Sequence, residues 1–335
     1  MHKCNFKRHI MKYSIQLLIS TLFVWCSGLG SVAFAADEWP TKQIKVIVPF
    51  DAGAGTDIVQ RFYAQQLSKA LGQQIVVENV GGAGGAIGTM RVARSPADGY
   101  TLLGTLITAT AALPHMQKLQ YDSLKDLTPI ARLGYPVTLL GVNKDMGINT
   151  LQEFIAKAKK EPGKIAYGSA GVGSAPQFRF EALMAETGII LEHVPYKGGT
   201  AYVADLLAGR IHTFADGTIG ANLGKANKIK LLAILDDKRP ADFPDVPTIQ
   251  EIIPGYQIPP TWYLLEGPAN MPAAIVKRIQ TELAKINKSA ETAEFMVNLR
   301  ARHSTDAADF NIAAEVQSAY DMYGKMIRER NIKAP

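Results

Sequence analysis

The apolar positions fall into two alternating patterns along the chain. Residues 44–48 form a β-branched apolar run, which predicts a buried strand. In residues 56–71 the apolar side chains recur at helical spacing and end before Gly72, which predicts a helix. The same reading predicts strands at 75–77, 100–103, 164–167, 191–194, 211–215 and 230–235, and helices at 86–94, 151–161, 175–187 and 200–208. Such alternation predicts parallel sheets with helices on both faces.

The alternation stops after an apolar run at residues 262–265. Helical patterns follow at 272–288, 290–299 and 307–330, with Pro272 in the first turn of the first. The chain therefore reads as two α/β units and a helical tail. Because the tail has apolar faces, we expect it to pack on one of the units.

The first 35 residues have the features of an export signal. Their charged side chains are all basic, an apolar run follows at 15–25, and the segment ends in Ala33-Phe34-Ala35. This order predicts a cleavable secretory signal peptide at 1–35 and a periplasmic location. The apolar run is shorter than the roughly 20 residues that a membrane anchor needs. A lipoprotein site at Cys26 is disfavoured, because Trp25 stands where a small residue is usual.

Removing this segment changes the composition. The full chain has 335 residues, a net charge of +6 and two cysteines, Cys4 and Cys26, both in the first 35 residues. The remaining 300 residues carry 32 basic and 30 acidic side chains and no cysteine. Disulfides, a thiol nucleophile and a thiolate metal site are therefore excluded. Since the basic residues are scattered singly, we expect no nucleic-acid partner. We also expect neither a metal nor a cofactor.

Two Gly-rich turns lie between a predicted strand and a predicted helix. The first covers residues 49–57, and the second covers residues 168–177. Backbone N–H groups at such helix starts form an anion site, so two facing turns could hold one carboxylate. We expect Thr56 to cap the first helix and Ser174-x-x-Gln177 to form a capping box on the second. The alternative is a plain tight turn in each case.

Other candidates have less specific patterns. Residues 81–88 miss the dinucleotide fingerprint by one residue, and close chain packing explains their glycines equally well. Ser169 is not in a Gly-x-Ser-x-Gly motif, because Tyr167 occupies the first position. Asp216 follows a predicted strand. It is either a plain turn residue or a residue at the edge of the sheet where open α/β proteins bind ligands. Trp262 and Tyr263 are read as packing residues, with ligand stacking as the alternative.

The order of several short motifs resembles one known family. The motifs are Trp39-Pro40, the stretch 44–57, Val77-Glu78-Asn79 with the glycines to 88, 97–102, Gly173-Ser174, 193–198, 243–248 and 254–256. Together they resemble the extracytoplasmic solute-binding receptors of tripartite tricarboxylate transporters, the Bug family, over nearly the whole chain after residue 38.

The resemblance implies an α/β fold with two Rossmann-like lobes and a ligand cleft, as in type II periplasmic binding proteins. Lobe 1 would comprise residues 36–140 and 264–335, with the helical tail packed on it, and lobe 2 residues 141–263. One ligand carboxylate would be gripped by Phe50–Asp57 from one lobe and Ser169–Gln177 from the other. We expect ligand contacts from Phe50, Ala52, Gly53, Gly55, Thr56, Asp57, Gly82, Thr105, Ser169, Gly173, Ser174, Gln177 and Asp216.

The expected function is capture of a small mono- or dicarboxylate, aliphatic or aromatic, by a monomer that delivers it to the membrane subunits of a tripartite transporter. No catalysis is expected. The chain departs from the family at Asp51, where an acid stands beside the anion site, at Gln177, where histidine is common, and at Asp216-Gly217, where the family has Asp-Asn. The ligand's identity therefore does not carry over, and a second polar end near Asp216 or Arg179 would set it. The alternatives are a sensory receptor that signals to a membrane kinase, and an exported hydrolase, for which the sequence reveals no nucleophile–base pair.

Overall fold

The computed structural model describes residues 39–196, 201–304 and 312–333. The predicted signal peptide and the start of the last predicted helix lie outside these residues, as does the start of the helix predicted at 200–208. Within the described ranges, no helix is both long and apolar enough to cross a membrane.

The described residues form eleven strands and twelve α-helices. The strands are β1 Ile44–Val48, β2 Ile75–Asn79, β3 Thr101–Leu106, β4 Leu127–Pro136, β5 Leu139–Asn143, β6 Ala166–Ser169, β7 Glu192–Pro195, β8 Thr213–Asp216, β9 Ile229–Ile234, β10 Tyr263–Pro268 and β11 Ala301–His303. The helices are α1 Gly55–Leu71, α2 Ala86–Ala93, α3 Ile107–Ala111, α4 Leu113–Met116, α5 Leu151–Lys160, α6 Ala175–Thr187, α7 Val203–Leu207, α8 Thr218–Lys225, α9 Ile249–Ile252, α10 Ala273–Asn287, α11 Ala290–Asn298 and α12 Ile312–Arg330.

The strands form two mixed sheets. The first sheet has the order β11-β4-β10-β3-β1-β2, and the second has the order β7-β6-β8-β5-β9. Strands β1, β2 and β3 are parallel to one another, as are β6, β7 and β8. In contrast, β10 is antiparallel to β3 and β4, and β5 is antiparallel to β8 and β9. The expectation of parallel sheets was therefore right only for the strands joined by helices.

Two of the antiparallel strands, β5 and β10, are those at which the chain enters a sheet from the other one. The chain passes from the first sheet to the second between Pro136 and Leu139, and it returns at Tyr263. A strand that arrives from the other sheet needs no βαβ crossover, so the rule that makes connected strands parallel does not apply to it. The division into lobes at residues 140 and 263 follows this change of sheet closely, and it stays a prediction.

The last helix, α12, covers the apolar side of the first sheet and touches the second half of the molecule. Val316, Ala319 and Tyr323 of α12 are buried with Ile107 of α3. The ring of Tyr323 also lies 4.6 Å from the ring of Phe178 in α6. The helical tail therefore packs mainly on the first sheet, as expected, while one aromatic contact reaches the helix that follows β6.

Candidate functional site

The first loop, Phe50–Asp57, leads from β1 into the start of α1. Gly53 has φ +82°, a left-handed conformation that favours glycine. Ala54 is the residue that precedes the helix, and its extended backbone starts the first turn. The Gly53 N–H donates to Oδ2 of Asp57 at 2.8 Å. Thr56 is therefore not the cap that the sequence suggested; it lies inside the first turn and is buried.

The Asp57 carboxylate holds this loop together. Besides the Gly53 N–H, it accepts Arg61 Nε at 3.0 Å and Asn79 Nδ2 at 2.9 Å. Asn79 Nδ2 also donates to the carbonyl oxygen of Phe50 at 3.0 Å, which ties β2 to the loop. Burial raises the pKa of Asp57, but these hydrogen bonds outweigh it and hold the pKa below its ordinary value. The carboxylate is thus engaged within the loop, and Asn79 is a loop-building residue that the residue-level reading did not single out.

The second loop, Ser169–Gln177, repeats this arrangement between β6 and α6. Gly173 has φ +80°, and Ser174 precedes the helix with an extended backbone. The Gly173 N–H donates to Oε1 of Gln177 at 2.7 Å. In both loops the third residue of the helix accepts the N–H of a left-handed glycine two positions before the helix. The two loops are therefore equivalent in geometry, although one uses a carboxylate and the other an amide.

The capping box expected at Ser174 is not formed. Its hydroxyl donates to the Gly171 carbonyl oxygen at 2.6 Å, and no side-chain cap bond reaches the helix. The Gln177 side chain does reach back, but to Gly173 and not to Ser174. The hydroxyl of Ser174 therefore serves the turn, so its proton is not free for a ligand in this conformation.

Ser169 is also engaged within its own loop. It is fully buried, and its Oγ accepts the Gly171 N–H at 3.1 Å. The same oxygen lies 2.6 Å from Nε2 of His193, on the neighbouring strand β7. This is a serine–histidine contact that the sequence did not reveal. Because the serine has no exposed surface, the contact positions the loop and does not offer a nucleophile to a substrate.

Each loop presents free backbone donors at the start of its helix. The first N–H groups of any α-helix have no partner within the helix. At α1 these belong to Gly55, Thr56 and Asp57, and at α6 to Ala175 and Gln177, since Pro176 has no N–H. Together with the helix dipole, such groups attract an anion. Gly55 and Ala52 are exposed, and a Cβ at Gly55 would meet only the Tyr263 hydroxyl, at 3.5 Å.

Contacts from both halves of the molecule converge beside these loops. Tyr263 opens β10, and its hydroxyl lies near Gly55 of the first loop. The Asp216 charge acts on the Tyr263 phenol and, with the larger effect of burial, raises its pKa. A Cβ at Gly173 would lie 3.1 Å from Sδ of Met116, at the end of α4. These contacts place Tyr263 beside the first loop and Met116 beside the second. Tyr263 is buried, in agreement with its interpretation as a packing residue, and its hydroxyl borders the first loop.

The second Gly-rich stretch packs the chain closely behind the first loop. A Cβ on Gly88 would lie 2.5 Å from the Val80 carbonyl oxygen and 3.0 Å from Cβ of Pro49. This supports the close-packing interpretation of residues 81–88. Gly82 is exposed in this stretch, beside Ile87. Thr105, near the end of β3, is fully buried and has no surface to offer a ligand in this conformation.

The structure also shows the surroundings of Arg179, Trp262 and Asp51. Arg179 is buried in α6, where it pairs with Asp236 at 2.9 Å, so it is a structural residue and not a reader of the ligand. Trp262 is buried against α12, in agreement with its interpretation as a packing residue. Asp51 is exposed, so its charge lies in solvent.

Sequence comparison places the chain among known receptors. Residues 59–332 match the model of the tripartite tricarboxylate transporter family receptor. The chain is similar to protein BugT of Bordetella pertussis, with 32% identity over 284 residues, which cover 83% of this chain and 86% of that protein.

Two solved structures with named ligands have the same fold. The R. palustris protein Rpa4515, solved with adipate, matches with a TM-score of 0.78 and 28% identity over 89% of this chain and all of that one. MatC from Rhodopseudomonas palustris, solved with malate, matches with a TM-score of 0.75 and 27% identity over 86% of this chain and all of that one. Since the family model covers most of the chain and both sheets are of this fold, the chain belongs to the Bug family of tripartite tricarboxylate transporter receptors.

Proposed function

We propose that this chain captures a small organic carboxylate in the periplasm and delivers it to the membrane subunits of a tripartite transporter. The observation that carries the proposal is the matched pair of helix starts at Gly55 and Ala175. Each follows a left-handed glycine whose N–H donates to a side chain of the same loop. A ligand carboxylate between them would accept N–H groups from both loops.

The number of donors is sufficient for useful affinity. A hydrogen bond from a backbone N–H to a charged oxygen contributes roughly 1.5–3 kcal/mol net. Three or four such bonds reach about −8 kcal/mol, which is micromolar affinity, after the cost of ordering the ligand. No arginine or lysine is required, and the arginines of the two helices, Arg61 and Arg179, already pair with Asp57 and Asp236.

Two further observations support the proposal. The two related structures bind adipate and malate, which are both dicarboxylates. The predicted signal peptide at residues 1–35 would export the chain to the compartment in which this family works. Because both loops belong to one chain, we propose that the exported chain acts as a monomer.

A thermal-shift panel tests the ligand class. The protein, purified after export, is heated with aliphatic, aromatic and amino-acid carboxylates, and with sugars and divalent cations as comparison. A ligand at 100 times its Kd stabilises a protein by about 2.7 kcal/mol, which is a clear shift in melting temperature. We expect a shift with at least one carboxylate. A shift with sugars or cations and none with carboxylates would contradict the proposal.

Gly55→Val tests the position of the site. A side chain here extends toward Tyr263 and over the free N–H groups, while its backbone is helical and its surroundings are open. We expect at least a hundredfold loss of carboxylate affinity with an unchanged unfolding midpoint. Ala290→Val is the matched control, since it is an exposed first residue of another helix, α11. Unchanged affinity in Gly55→Val would remove the first loop from the site. Gly173 is a poorer target, because its left-handed backbone and Met116 make any substitution strained.

A further inference from the structure

Asp216 lies at the edge of the second sheet from which the second loop departs. It ends β8, which is parallel to β6, so the carboxyl ends of both strands meet at one edge. Its Oδ1 accepts the Ile219 N–H at 2.7 Å, and the Thr218 N–H also binds the carboxylate. These two donors account for a helix cap on α8. They leave part of the carboxylate's accepting capacity unused, since an ionised carboxylate has about four acceptor positions.

Two phenol groups of other elements lie within the electrostatic reach of this carboxylate. Tyr263 is paired with Leu106 at the carboxyl end of β3, and its hydroxyl lies near Gly55 of the first loop. Tyr202, just before α7, has a buried hydroxyl with no hydrogen-bond partner among the described residues. Burial raises the pKa of both phenols, and the Asp216 charge raises each further. The charge of Asp216 therefore acts on both phenols, and one of them, Tyr263, borders the first loop.

We propose that Asp216, with Tyr202 and Tyr263, reads the end of the ligand opposite the gripped carboxylate, and that it selects an end that donates hydrogen bonds. The preferred ligand would carry a protonated amine or a hydroxyl there, and a second carboxylate would be disfavoured. This inference rests on the proposed function, which supplies the first carboxylate at the two helix starts. An ionised carboxylate accepts hydrogen bonds only, so it favours a donor and repels another carboxylate.

The charge state of Asp216 makes this selection depend on pH. Burial raises its pKa to about 6, while the Ile219 and Thr218 N–H groups lower it. Within residues 39–196, 201–304 and 312–333, the groups whose pKa its charge raises are the two phenols. Arg300 approaches the next residue, Gly217, only through its carbonyl oxygen, and its guanidinium pairs with Asp242. Asp216 is therefore ionised at pH 7.5 and largely protonated at pH 5.5, where it can donate a hydrogen bond to a second carboxylate.

Matched ligand series test the selection. Three series of three to eight carbons are compared at equal length by calorimetry: monocarboxylates, ω-amino acids and α,ω-dicarboxylates. The proteins are wild type, Asp216→Asn, which keeps the acceptor for the Ile219 N–H, and Asp245→Asn, an exposed control. At pH 7.5 we expect the best ω-amino acid to bind wild type and Asp245→Asn at least tenfold more tightly than the best dicarboxylate. Asp216→Asn should lose this preference.

The outcomes separate this inference from the proposed function. If dicarboxylates bind wild type as tightly as ω-amino acids, or if Asp216→Asn keeps the preference, Asp216 is only a helix cap and the inference is wrong. If none of the three series binds, the proposed function itself fails.

The pH dependence provides an independent readout. Lowering the pH from 7.5 to 5.5 should raise the dicarboxylate affinity of wild type at least threefold relative to that of Asp216→Asn. The ligand's own titration is common to both proteins and cancels in this ratio. An equal change in the two proteins would overturn the role of Asp216.

Discussion

At the scale of single residues, the hydroxyl groups near the site serve the loops and leave the backbone to bind. The sequence suggested ligand contacts from Thr56, Ser169 and Ser174, yet Thr56 is buried in its helix, Ser174 donates to Gly171, and Ser169 lies against His193. The spacing of serine and glycine can predict a turn, but it does not tell which acceptor a hydroxyl will choose. For Ser169 that choice depends on His193, which comes from the next strand and stacks on Tyr167 at 4.8 Å.

His193 should make stability depend on pH. Burial lowers its pKa from 6.5 to about 4, so the folded protein keeps it neutral where the unfolded chain binds a proton. The stabilising effect is complete above about pH 6.5 and is lost as the pH falls toward 4. We expect His193→Gln to reduce the loss of unfolding free energy between pH 7 and pH 5, measured by chemical unfolding. His303→Gln is the control and should keep the wild-type slope; equal slopes in all three proteins would contradict this role.

At the scale of elements, the two loops have the same backbone conformation and the same pattern of hydrogen bonds. Each combines a left-handed glycine, an extended residue and a helix whose third side chain accepts the glycine N–H. The sequence pattern predicted both turns and both helices, because Gly-rich segments between a strand and a helix are distinctive. It misassigned the caps, because a side chain at the third helical position can reach back to either of two neighbouring N–H groups.

Gln177→Ala should loosen the second loop. It leaves the Gly173 N–H without its partner, which we expect to cost about 1 kcal/mol of unfolding free energy and about tenfold in carboxylate affinity. Gln177→Glu keeps the acceptor and should preserve stability, but its charge should still weaken binding of an anion. Chemical unfolding and calorimetry measure the two effects. If Gln177→Ala and Gln177→Glu unfold alike, the hydrogen bond does not hold the loop.

The strands that the sequence missed share one property. Residues 127–136, 139–143, 263–268 and 301–303 are β4, β5, β10 and β11, and none is followed by a helix that returns to a parallel neighbour. Every pair that these four strands form is antiparallel. Alternation of strand and helix therefore predicted the strands that belong to βαβ units. The remaining strands depend on contacts between distant parts of the chain, which local patterns do not contain.

At the scale of the whole molecule, a buried ion pair joins the second loop's helix to the crossover between the sheets. Arg179 of α6 donates to Asp236 at 2.9 Å and to the Leu235 carbonyl oxygen at 2.7 Å. The other oxygen of Asp236 accepts the N–H of Thr138, in the crossover from β4 to β5, at 2.7 Å. The Arg179 carbonyl oxygen accepts the buried Tyr256 hydroxyl at 2.8 Å. The helix that presents the second loop is thus fixed to the segment where the chain changes sheets.

Breaking this pair from one side should be costly. Arg179→Met leaves the Asp236 carboxylate buried without its cation, and we expect a loss of about 3–5 kcal/mol of unfolding free energy. Adding Asp236→Asn should restore part of it, because the amide is neutral and still accepts the Thr138 N–H. The deficit of the single variant should also shrink at pH 5, since an unpaired buried carboxyl takes up a proton. Lys157→Met, in an exposed pair with Glu161, is the control and should cost no more than about 0.5 kcal/mol. If Arg179→Met were as mild as Lys157→Met, the crossover would be held by its apolar contacts alone.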